Sequence, residues 1–187
     1  MKKRVDVIQS LLSGCRQGNR RAQHELFTLF GPRMLGVCRR YCANPDDARD
    51  AFQEGFIKVY ATLDKYRGES AFETWITRIF INTSIDHFKK KQKLNLKETT
   101  LPEELGAELG DQDAESWSFP CTPEQALEAL DQLPAGYRMV FNLYALENMS
   151  HKEIAVLLGI SEGTSKSQYA RARKFLQHIL TPKTASH

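Results

Sequence analysis

The sequence lacks any apolar run near the roughly 18 residues that a membrane-spanning helix needs. Its basic first residues, Met1–Arg4, are followed by Val5–Ser10, which do not form the apolar stretch of a signal peptide. Neither membrane insertion nor export is indicated. We therefore expect a soluble protein of the cytoplasm.

Cysteine is scarce, with four residues in a chain of 187. A cytoplasmic chain of this length does not need disulfide bonds, so we expect Cys15, Cys38, Cys42 and Cys121 to be free thiols. Cys38 and Cys42 would share a face of a helix. Zinc needs two further ligands, and His24 is the one candidate nearby. We expect small buried side chains here rather than a metal site.

The sequence also lacks the motifs of common catalytic sites, including HExxH, the phosphate-binding GxxxxGKS/T and GxSxG. Its five histidines are scattered along the chain. We expect no cofactor and no metal, which makes a small helical enzyme the weaker hypothesis.

The overall charge is nearly balanced, but its distribution along the chain is uneven. Residues 1–93 hold 18 Lys and Arg against 10 Asp and Glu, residues 94–133 hold 1 against 10, and residues 134–187 hold 7 against 3. This pattern predicts two basic modules that face nucleic acid, separated by an acidic tether. A solvated acidic loop is the alternative for the middle segment.

Residues 94–121 have the composition of a linker, because proline, glycine and scattered acids interrupt any apolar period. We predict a first domain over residues 1–93, an acidic flexible linker over residues 94–121, and a second domain over residues 122–187. At roughly 100–200 residues per domain, the chain has room for no more than two small cores.

Apolar residues recur at spacings of three and four in nearly every ordered segment, and no segment has a convincing strand pattern. Asn44 and Pro45 supply an N-cap and a first-turn proline, which predict a helix from Pro45 to about Leu63. Ser70 and Glu73 predict a capping box at the start of the next helix. We therefore predict an all-α protein made of two small helical domains.

The last segment contains a predicted helix-turn-helix. Capping boxes at Thr122 and Ser150 open two of its helices. Gly159 can take the left-handed conformation that ends a helix, and Ser161 then caps another helix that reaches about His178. Two helices joined by a short turn with glycine are typical of this DNA-binding motif.

The second helix of that motif has a basic face near its start. Its residues are Lys166, Ser167, Ala170 and Arg171. In DNA-binding helix-turn-helix proteins this part enters the major groove, where Lys and Arg bind guanine. Backbone amides around Gly163 and Thr164 suit a phosphate. An exposed basic face without a DNA partner is the alternative interpretation.

With these motifs the sequence resembles bacterial sigma factors of the extracytoplasmic-function (ECF) group, which have two domains called region 2 and region 4. The family's polymerase-binding segment is similar to DDARDAFQEGFIKVYATL at residues 46–63. Its segment for the −10 promoter element is similar to FETWITRIFINTSIDHFKKK at residues 72–91. Region 4, which reads the −35 element, is similar to LPAGYRMVFNLYALENMSHKEIAVLLGISEGTSKSQYARARKFL at residues 133–176.

The resemblance implies a sigma factor that binds core RNA polymerase, recognises promoter DNA and promotes DNA melting without catalysing a reaction. It implies a monomer when free, control by an anti-sigma factor, and no small-molecule substrate. The protein would lie in the cytoplasm, at the nucleoid when bound to polymerase, or at the membrane when held there by its inhibitor. A dimeric helix-turn-helix regulator is the alternative, but it leaves residues 1–93 unexplained.

The resemblance also implies three sets of binding residues. The set for core polymerase is Asp47, Asp50, Gln53, Glu54, Phe56 and Tyr60. The set for the −10 element is Lys65, Tyr66, Arg67, Gly68, Arg78, Asn82, Lys89 and Lys90. The set for the −35 element is Ser161, Gly163, Thr164, Lys166, Ser167, Ala170, Arg171 and Arg173.

Within these sets the aromatic residues have particular expected roles. Phe56 and Tyr60 would be anchors beside the acidic face that contacts polymerase, whereas Phe52 and Trp75 would be core. Tyr66 and its neighbours would form a pocket for a flipped −10 base.

In the linker, the two aromatic residues would dock on polymerase or an inhibitor, or equally pack on either domain. These are Trp117 and Phe119.

Overall fold

The computed structural model describes residues 2–42, 44–94 and 122–180, and the regular elements in these ranges are all helical, as predicted. The chain divides into two compact units, Met1–His87 and Phe88–His187. No helix in the described ranges is both long and apolar enough to cross a membrane. Met1 and residues 95–121 of the predicted linker lie outside the described ranges, and the latter include Trp117, Phe119 and Cys121.

The described residues of the first unit form four α-helices and one turn of 3-10 helix, and the fourth helix continues past the end of the unit at His87. These elements are α1 (Lys2–Arg16), α2 (Arg20–Tyr41), α3 (Pro45–Thr62), the 3-10 turn Leu63–Lys65 and α4 (Phe72–Leu94). Each helix buries an apolar side in one shared core. The fully buried side chains include Leu12, Leu26, Met34, Val59, Ile76 and Phe80.

The predicted start of α3 is confirmed. The side chain of Asn44 accepts a hydrogen bond from the Asp47 N–H at 2.8 Å, and Pro45 is the first helical residue. This cap satisfies one of the N–H groups that a helix start leaves without a backbone partner.

The start of α4 differs by one residue from the predicted capping box. The helix begins at Phe72, and the carbonyl of Ala71 accepts from the Trp75 N–H at 3.2 Å. Ala71 therefore occupies the cap position that the sequence assigned to Ser70. The carbonyl of Ser70 instead accepts a hydrogen bond from the Tyr66 hydroxyl at 2.7 Å.

A close approach between α3 and α4 explains a glycine in the middle of α3. A Cβ atom placed on Gly55 would lie 2.5 to 2.9 Å from three atoms of the Phe80 ring. Real side chains do not approach so closely, so a larger residue at this position would force the two helices apart. Glycine costs about 1 kcal/mol relative to alanine in a helix, and the packing of Phe80 offsets that cost.

Four further helices lie in residues 122–180, the part of the second unit that follows α4 in the described ranges. They are α5 (Pro123–Asp131), α6 (Ala135–Ala145), α7 (His151–Leu158) and α8 (Glu162–Leu180). The capping boxes predicted at Thr122 and Ser150 are both confirmed. In each, the cap side chain accepts from the backbone N–H three residues later, and the side chain of that later residue accepts from the backbone N–H of the cap. These caps set the starts of α5 and α7.

A buried arginine closes the turn between α5 and α6. Arg138 is 1% exposed, and its guanidinium donates to the carbonyls of Asp131 at 2.6 Å and Leu133 at 3.3 Å. The same group pairs with the Asp131 carboxylate at 3.3 Å. Arg138 therefore satisfies the carbonyls that the end of α5 leaves without helical partners.

Three of the four cysteines are free and buried, as predicted. Cys38 lies near the end of α2, and burial raises the pKa of its thiol to about 12. The described residues contain no group of three or more His, Cys, Asp or Glu side chains arranged to hold a metal ion.

Candidate functional site

The outward side of α3 carries acids and one exposed apolar side chain. Asp46, Asp50 and Gln53 are exposed, and Ile57 is 68% exposed. These four residues recur at spacings of three and four, so they lie along one side of the helix. We call them the α3 face. Asp46 also pairs with the exposed Arg49 at 3.2 Å.

Two of the residues predicted to contact polymerase lie on this face, namely Asp50 and Gln53. Asp47 is half-buried beside the cap of α3, where its carboxylate accepts a hydrogen bond from the Asn44 amide at 2.9 Å. Asp47 is therefore part of the helix start and lies at the edge of the face.

Glu54, also predicted to contact polymerase, connects α3 to α4 in the structure. Its carboxylate lies 2.9 Å from the Lys58 ammonium and 2.8 Å from Nε2 of His87. Lys58 in turn reaches Asp86 at 3.2 Å. Because the Glu54 carboxylate is engaged inside the unit, it fixes the position of the α3 face relative to α4.

The structure corrects one of the two predicted aromatic anchors, Phe56, which is buried, whereas the other, Tyr60, is half-buried. Phe56 is 4% exposed and packs on the rings of Phe27 and Phe80. Tyr60 is half-buried, donates a hydrogen bond to the Gln23 carbonyl at 2.8 Å, and has a pKa raised by burial to about 12. Both rings support α3 from inside the unit. The exposed apolar residue of the α3 face is Ile57. Its spacing of four residues from Gln53 was the sequence signal that could have placed it on this face.

Tyr66 organises the loop between α3 and α4 from within. Its side chain is 8% exposed, and its ring lies 5.3 Å from the rings of Phe72 and Trp75. Its hydroxyl donates to the Ser70 carbonyl, which closes the loop on itself. Burial raises the pKa of this hydroxyl. Phe52 and Trp75 were both expected in the core, and both are half-buried.

The same loop presents its charged residues to solvent. Lys65, Arg67 and Gly68 are all exposed. Gly68 has a φ of 78°, a left-handed conformation that glycine adopts without strain. The loop therefore combines an aromatic interior with a charged exterior, on which the exposed Asp64 and Glu69 accompany Lys65 and Arg67.

The predicted contact residues on α4 form a line along the helix. Arg78 and Asn82 are exposed and lie one turn apart. Lys89 follows on the same side and is half-buried, and Lys90 next to it is exposed. Trp75 lies three residues before Arg78 and contacts Tyr66, so the loop and this line form one continuous surface.

The turn between α7 and α8 has the predicted geometry. Gly159 is left-handed, with a φ of 70°, and its N–H donates to the Ala155 carbonyl at 2.9 Å. The hydroxyl of Ser161 accepts from the Thr164 N–H at 2.9 Å and caps α8. The helix-turn-helix predicted from the sequence is therefore present.

On α8, three predicted residues are exposed near the start of the helix. They are Ser161, Gly163 and Lys166. The Lys166 ammonium pairs with Glu162 at 3.1 Å, one turn earlier. Lys174, eight residues after Lys166, is exposed as well.

The other predicted residues of α8 are half-buried. Arg171 is half-buried and donates to the Tyr137 hydroxyl of α6 at 3.1 Å, and Arg173 lies 5.9 Å above the Tyr169 ring. The Ser167 hydroxyl donates to the Thr164 carbonyl at 3.0 Å. Half-buried Ala170 completes the set. Lys166 is thus the exposed cation of the predicted face, and Arg171 faces α6.

A histidine without a role in the sequence analysis joins α7 to α8. Nδ1 of His151 lies 3.0 Å from the hydroxyl of the fully buried Ser165. The His151 ring stacks on Tyr144 at 4.3 Å. Burial, and then the nearby Lys166, lower the pKa of His151, which favours the neutral imidazole. This contact fixes α8 relative to α7.

Comparison with known proteins identifies the family. Residues 26–94 match the family described as Sigma-70 region 2, and residues 124–176 match Sigma-70, region 4. The chain is 30% identical over 187 residues to the RNA polymerase sigma-H factor of Pseudomonas aeruginosa, covering 93% of this chain and 94% of that protein. The chain belongs to the ECF sigma factors of the sigma-70 family.

Two further relatives are similar to this sigma factor. The ECF RNA polymerase sigma-E factor of Haemophilus influenzae is 29% identical over 189 residues, which covers 93% of this chain and 95% of that protein. Among solved structures, CnrH in complex with the cytosolic domain of CnrY is 24% identical with a TM-score of 0.47. That comparison covers 93% of this chain and 97% of the CnrH chain.

Membership of this family decides between the hypotheses raised by the sequence. Sigma factors bind core RNA polymerase and promoter DNA, and they are not enzymes. The family therefore excludes a metal-dependent enzyme and a regulator that acts without polymerase. We refer to α1–α4 as the region 2 helices and to α5–α8 as the region 4 helices. The region 2 match begins inside α2, so α1 precedes it.

Proposed function

We propose that this sigma factor binds core RNA polymerase through the α3 face, the −10 element through the Tyr66 loop and α4, and the −35 element through α8. The observation that carries this proposal is the placement of exposed groups on the region 2 helices. The α3 face carries two acids and the exposed Ile57, whereas the loop and α4 carry Lys65, Arg67 and Arg78 among acids such as Asp64 and Glu69. A protein and a nucleic acid can thus bind different sides of one unit.

For the polymerase contact, the α3 face offers an apolar centre and charged neighbours. Ile57 supplies the side chain that a partner would bury, and Asp50 would steer basic groups toward it. Glu54, Phe56 and Tyr60 hold the helix in place from inside. The resemblance implies the coiled coil of the clamp in the largest polymerase subunits as the partner.

For the −10 element, some residues of the loop and α4 would give affinity and others would recognise bases. Arg78, Lys89 and Lys90 would contact phosphates, which gives affinity that falls as salt rises. The Asn82 amide can both donate and accept, so it suits a base edge. Tyr66 and Gly68 give the loop its shape, and Lys65 and Arg67 line its outer side.

For the −35 element, Lys166 would read a base in the major groove. The first turn of α8 would contact a phosphate through its backbone amides and hydroxyl groups. The residues of that turn are Ser161, Gly163 and Thr164. The rest of the predicted set, from Ser167 and Ala170 to Arg171 and Arg173, would shape the face and its flanks.

We also propose that an anti-sigma factor covers the α3 face when the sigma factor is inactive. Ile57 is a large apolar side chain that is 68% exposed on this face, so a partner that covers the face would bury it. The protein would be a monomer in the cytoplasm when free. It would lie at the nucleoid on polymerase, or at the membrane if its inhibitor is anchored there.

The polymerase contact is tested by changing Ile57 to serine and measuring the affinity for core polymerase. We expect a loss on the order of tenfold, because an exposed apolar anchor of an interface is removed. Val7→Ser is the matched control, since Val7 on α1 is also exposed, at 56%. Equal affinities of both variants and the wild type would contradict the proposed use of the α3 face.

The DNA contacts are tested by transcription in vitro with core polymerase and a promoter library. We expect Lys166→Ala to weaken preference at the −35 element and Asn82→Ala to weaken preference at the −10 element. Lys152→Ala removes a similar exposed charge from α7 and should leave both preferences unchanged. Absence of promoter-dependent initiation, together with absence of binding to core polymerase, would refute the proposed function as a whole.

A further inference from the structure

An arginine at the end of α1 reaches the loop that carries the predicted −10 contacts. One terminal nitrogen of Arg16 donates to the Tyr66 carbonyl at 2.9 Å and to the Leu63 carbonyl at 3.3 Å. Its Nε also lies 3.8 Å from the Asp64 carboxylate. These bonds join residues 47 and 50 positions apart in the sequence, so they are tertiary contacts rather than features of the loop itself.

The backbone that carries Arg16 is a tight corner between α1 and α2. Gly18 is left-handed with a φ of 74°, and the Asn19 side chain caps α2 by accepting from the N–H groups of Arg21 and Ala22. A Cβ atom on Gly14 would lie 2.7 Å from the Cβ of Ala22, so the two helices are in close contact at this point. The backbone on which the Arg16 side chain is mounted therefore has little freedom to move.

The loop has several contacts of its own that hold Tyr66. The Tyr66 N–H donates to the Leu63 carbonyl at 3.1 Å, its hydroxyl donates to Ser70, and its ring rests on Phe72 and Trp75. All of these contacts stay between residues 63 and 75. They give the loop its shape, whereas the Arg16 bonds fix that shape relative to α1.

The exposed residues on either side of Tyr66 are the ones that depend on this fixation. Lys65 and Arg67 are adjacent in sequence to the residue whose carbonyl Arg16 binds, and both point away from the aromatic interior because Tyr66 occupies it. A shift of the Tyr66 carbonyl would move both side chains. Base recognition needs contacting groups that are held closely in position, so such a shift would weaken discrimination between bases.

We propose that Arg16 is a positioning residue for −10 recognition, and that it acts by tying the Leu63–Tyr66 turn to the corner between α1 and α2. The proposal rests on the proposed function of the region 2 helices. Arg16 would not contact DNA itself. Its side chain is 35% exposed and its terminal nitrogen is engaged by two carbonyls. The residue lies on α1, before the segment that matches the region 2 family.

The test compares Arg16→Ala with the wild type in transcription from promoters that differ at single −10 positions, using core polymerase and the full chain. We expect discrimination at one −10 position to fall on the order of tenfold. Affinity for core polymerase and −35 preference should stay unchanged. Arg16→Lys should restore part of the discrimination, because an ammonium can still donate to the Tyr66 carbonyl.

Two control variants separate positioning from charge. Arg21→Ala removes an exposed arginine from the same corner, where it pairs with Glu25 rather than with the loop. Asp64→Asn removes the exposed ion-pair partner but keeps both carbonyl bonds. Both variants should discriminate among −10 bases as the wild type does.

Hydrogen exchange provides a readout that does not depend on DNA. Arg16→Ala should raise exchange across residues 63–71 and leave exchange in the core helices unchanged. Unchanged discrimination and unchanged loop exchange in Arg16→Ala would overturn the proposal. Equal losses of −10 preference, −35 preference and polymerase affinity would overturn it as well, because they would show a general loss of folding.

Failure of the proposed function has a different signature. If the wild type itself does not initiate from any promoter, the function assigned to the region 2 helices is wrong, and the role of Arg16 falls with it. If the wild type initiates and Arg16→Ala retains its −10 discrimination, the error lies in the role of Arg16 alone.

Discussion

Each half of the chain uses an arginine to hold a turn between helices, and the two arginines differ in exposure. In the region 4 helices, Arg138 is 1% exposed and binds the carbonyls of Asp131 and Leu133. In the region 2 helices, Arg16 has a side chain that is 35% exposed and binds the carbonyls of Leu63 and Tyr66. The chemistry is the same, but the surroundings give it different consequences.

Burial decides which consequence dominates. When a buried donor is removed, its acceptors stay buried and lose their partners, so the free energy of unfolding falls by most of the desolvation cost. When a partly exposed donor is removed, water replaces it at the acceptor. Arg138 should therefore matter for stability, and Arg16 for the placement of a loop that water can still solvate.

The largest expected effect breaks the turn of the region 4 helices. Arg138→Met should lower their free energy of unfolding by about 3 kcal/mol, because the buried Leu133 carbonyl and the part-buried Asp131 carbonyl lose their donor. The measurement is hydrogen exchange in α6 under denaturant, which reports on this unit separately from α1–α4. If Arg16→Met destabilised its own unit by as much, the contrast between the two arginines would be wrong.

A smaller effect tests packing inside the region 2 helices. Gly55→Ala should destabilise them by about 2 kcal/mol, because the new methyl group collides with the Phe80 ring. Gly36→Ala is the matched control inside α2, since a Cβ atom there has no atom within 4 Å. It should stabilise by up to about 1 kcal/mol through helix propensity. Urea unfolding of both variants measures the difference, and a stabilising Gly55→Ala would contradict the close approach.

The smallest effect is a pH dependence of the region 4 helices. Burial makes the pKa of His151 lower in the folded chain than its ordinary value of 6.5, so the unfolded chain takes up the proton first. Stability is therefore complete above 6.5 and falls as the pH drops through the lower folded pKa. Lys166 adds to this shift and Glu162 opposes it.

Thermal unfolding at about pH 7.5 and about pH 5.5 measures this dependence. His151→Gln, which cannot take up the proton, should show a smaller decrease in stability over the same interval. An equal decrease in the variant and the wild type would assign the pH dependence to other groups.

Helix starts were the part of the fold that the sequence predicted best. The caps at Asn44, Thr122 and Ser150 and the left-handed Gly159 are local, because each depends on residues within four positions. The start of α4 was misplaced by one residue, because the Ser70 carbonyl accepts from the Tyr66 hydroxyl and the Ala71 carbonyl accepts from the Trp75 N–H. The capping-box pattern does not include this hydrogen bond from a side chain four residues earlier.

The candidate sites were predicted less completely, because their errors come from tertiary contacts. Phe56 and Ile57 are adjacent, and only the packing of Phe27 and Phe80 shows which of them is buried. Arg171 carries the charge expected of a DNA-binding residue, but it donates to Tyr137, 34 residues earlier. Arg16 left no signal, since a hydrogen bond to backbone carbonyls does not depend on the residue type of its acceptor.

The close approach at Gly55 also has a kinetic consequence. The Phe80 ring lies against the Gly55 backbone, with three ring atoms 2.5 to 2.9 Å from the position that a Cβ would occupy. A half-turn of this ring about its axis sweeps out more room than the contact leaves, so the ring can turn only when α3 and α4 separate briefly. The exchange rate between the two edges of the Phe80 ring, measured by nuclear magnetic resonance, would therefore report how often α3 and α4 separate.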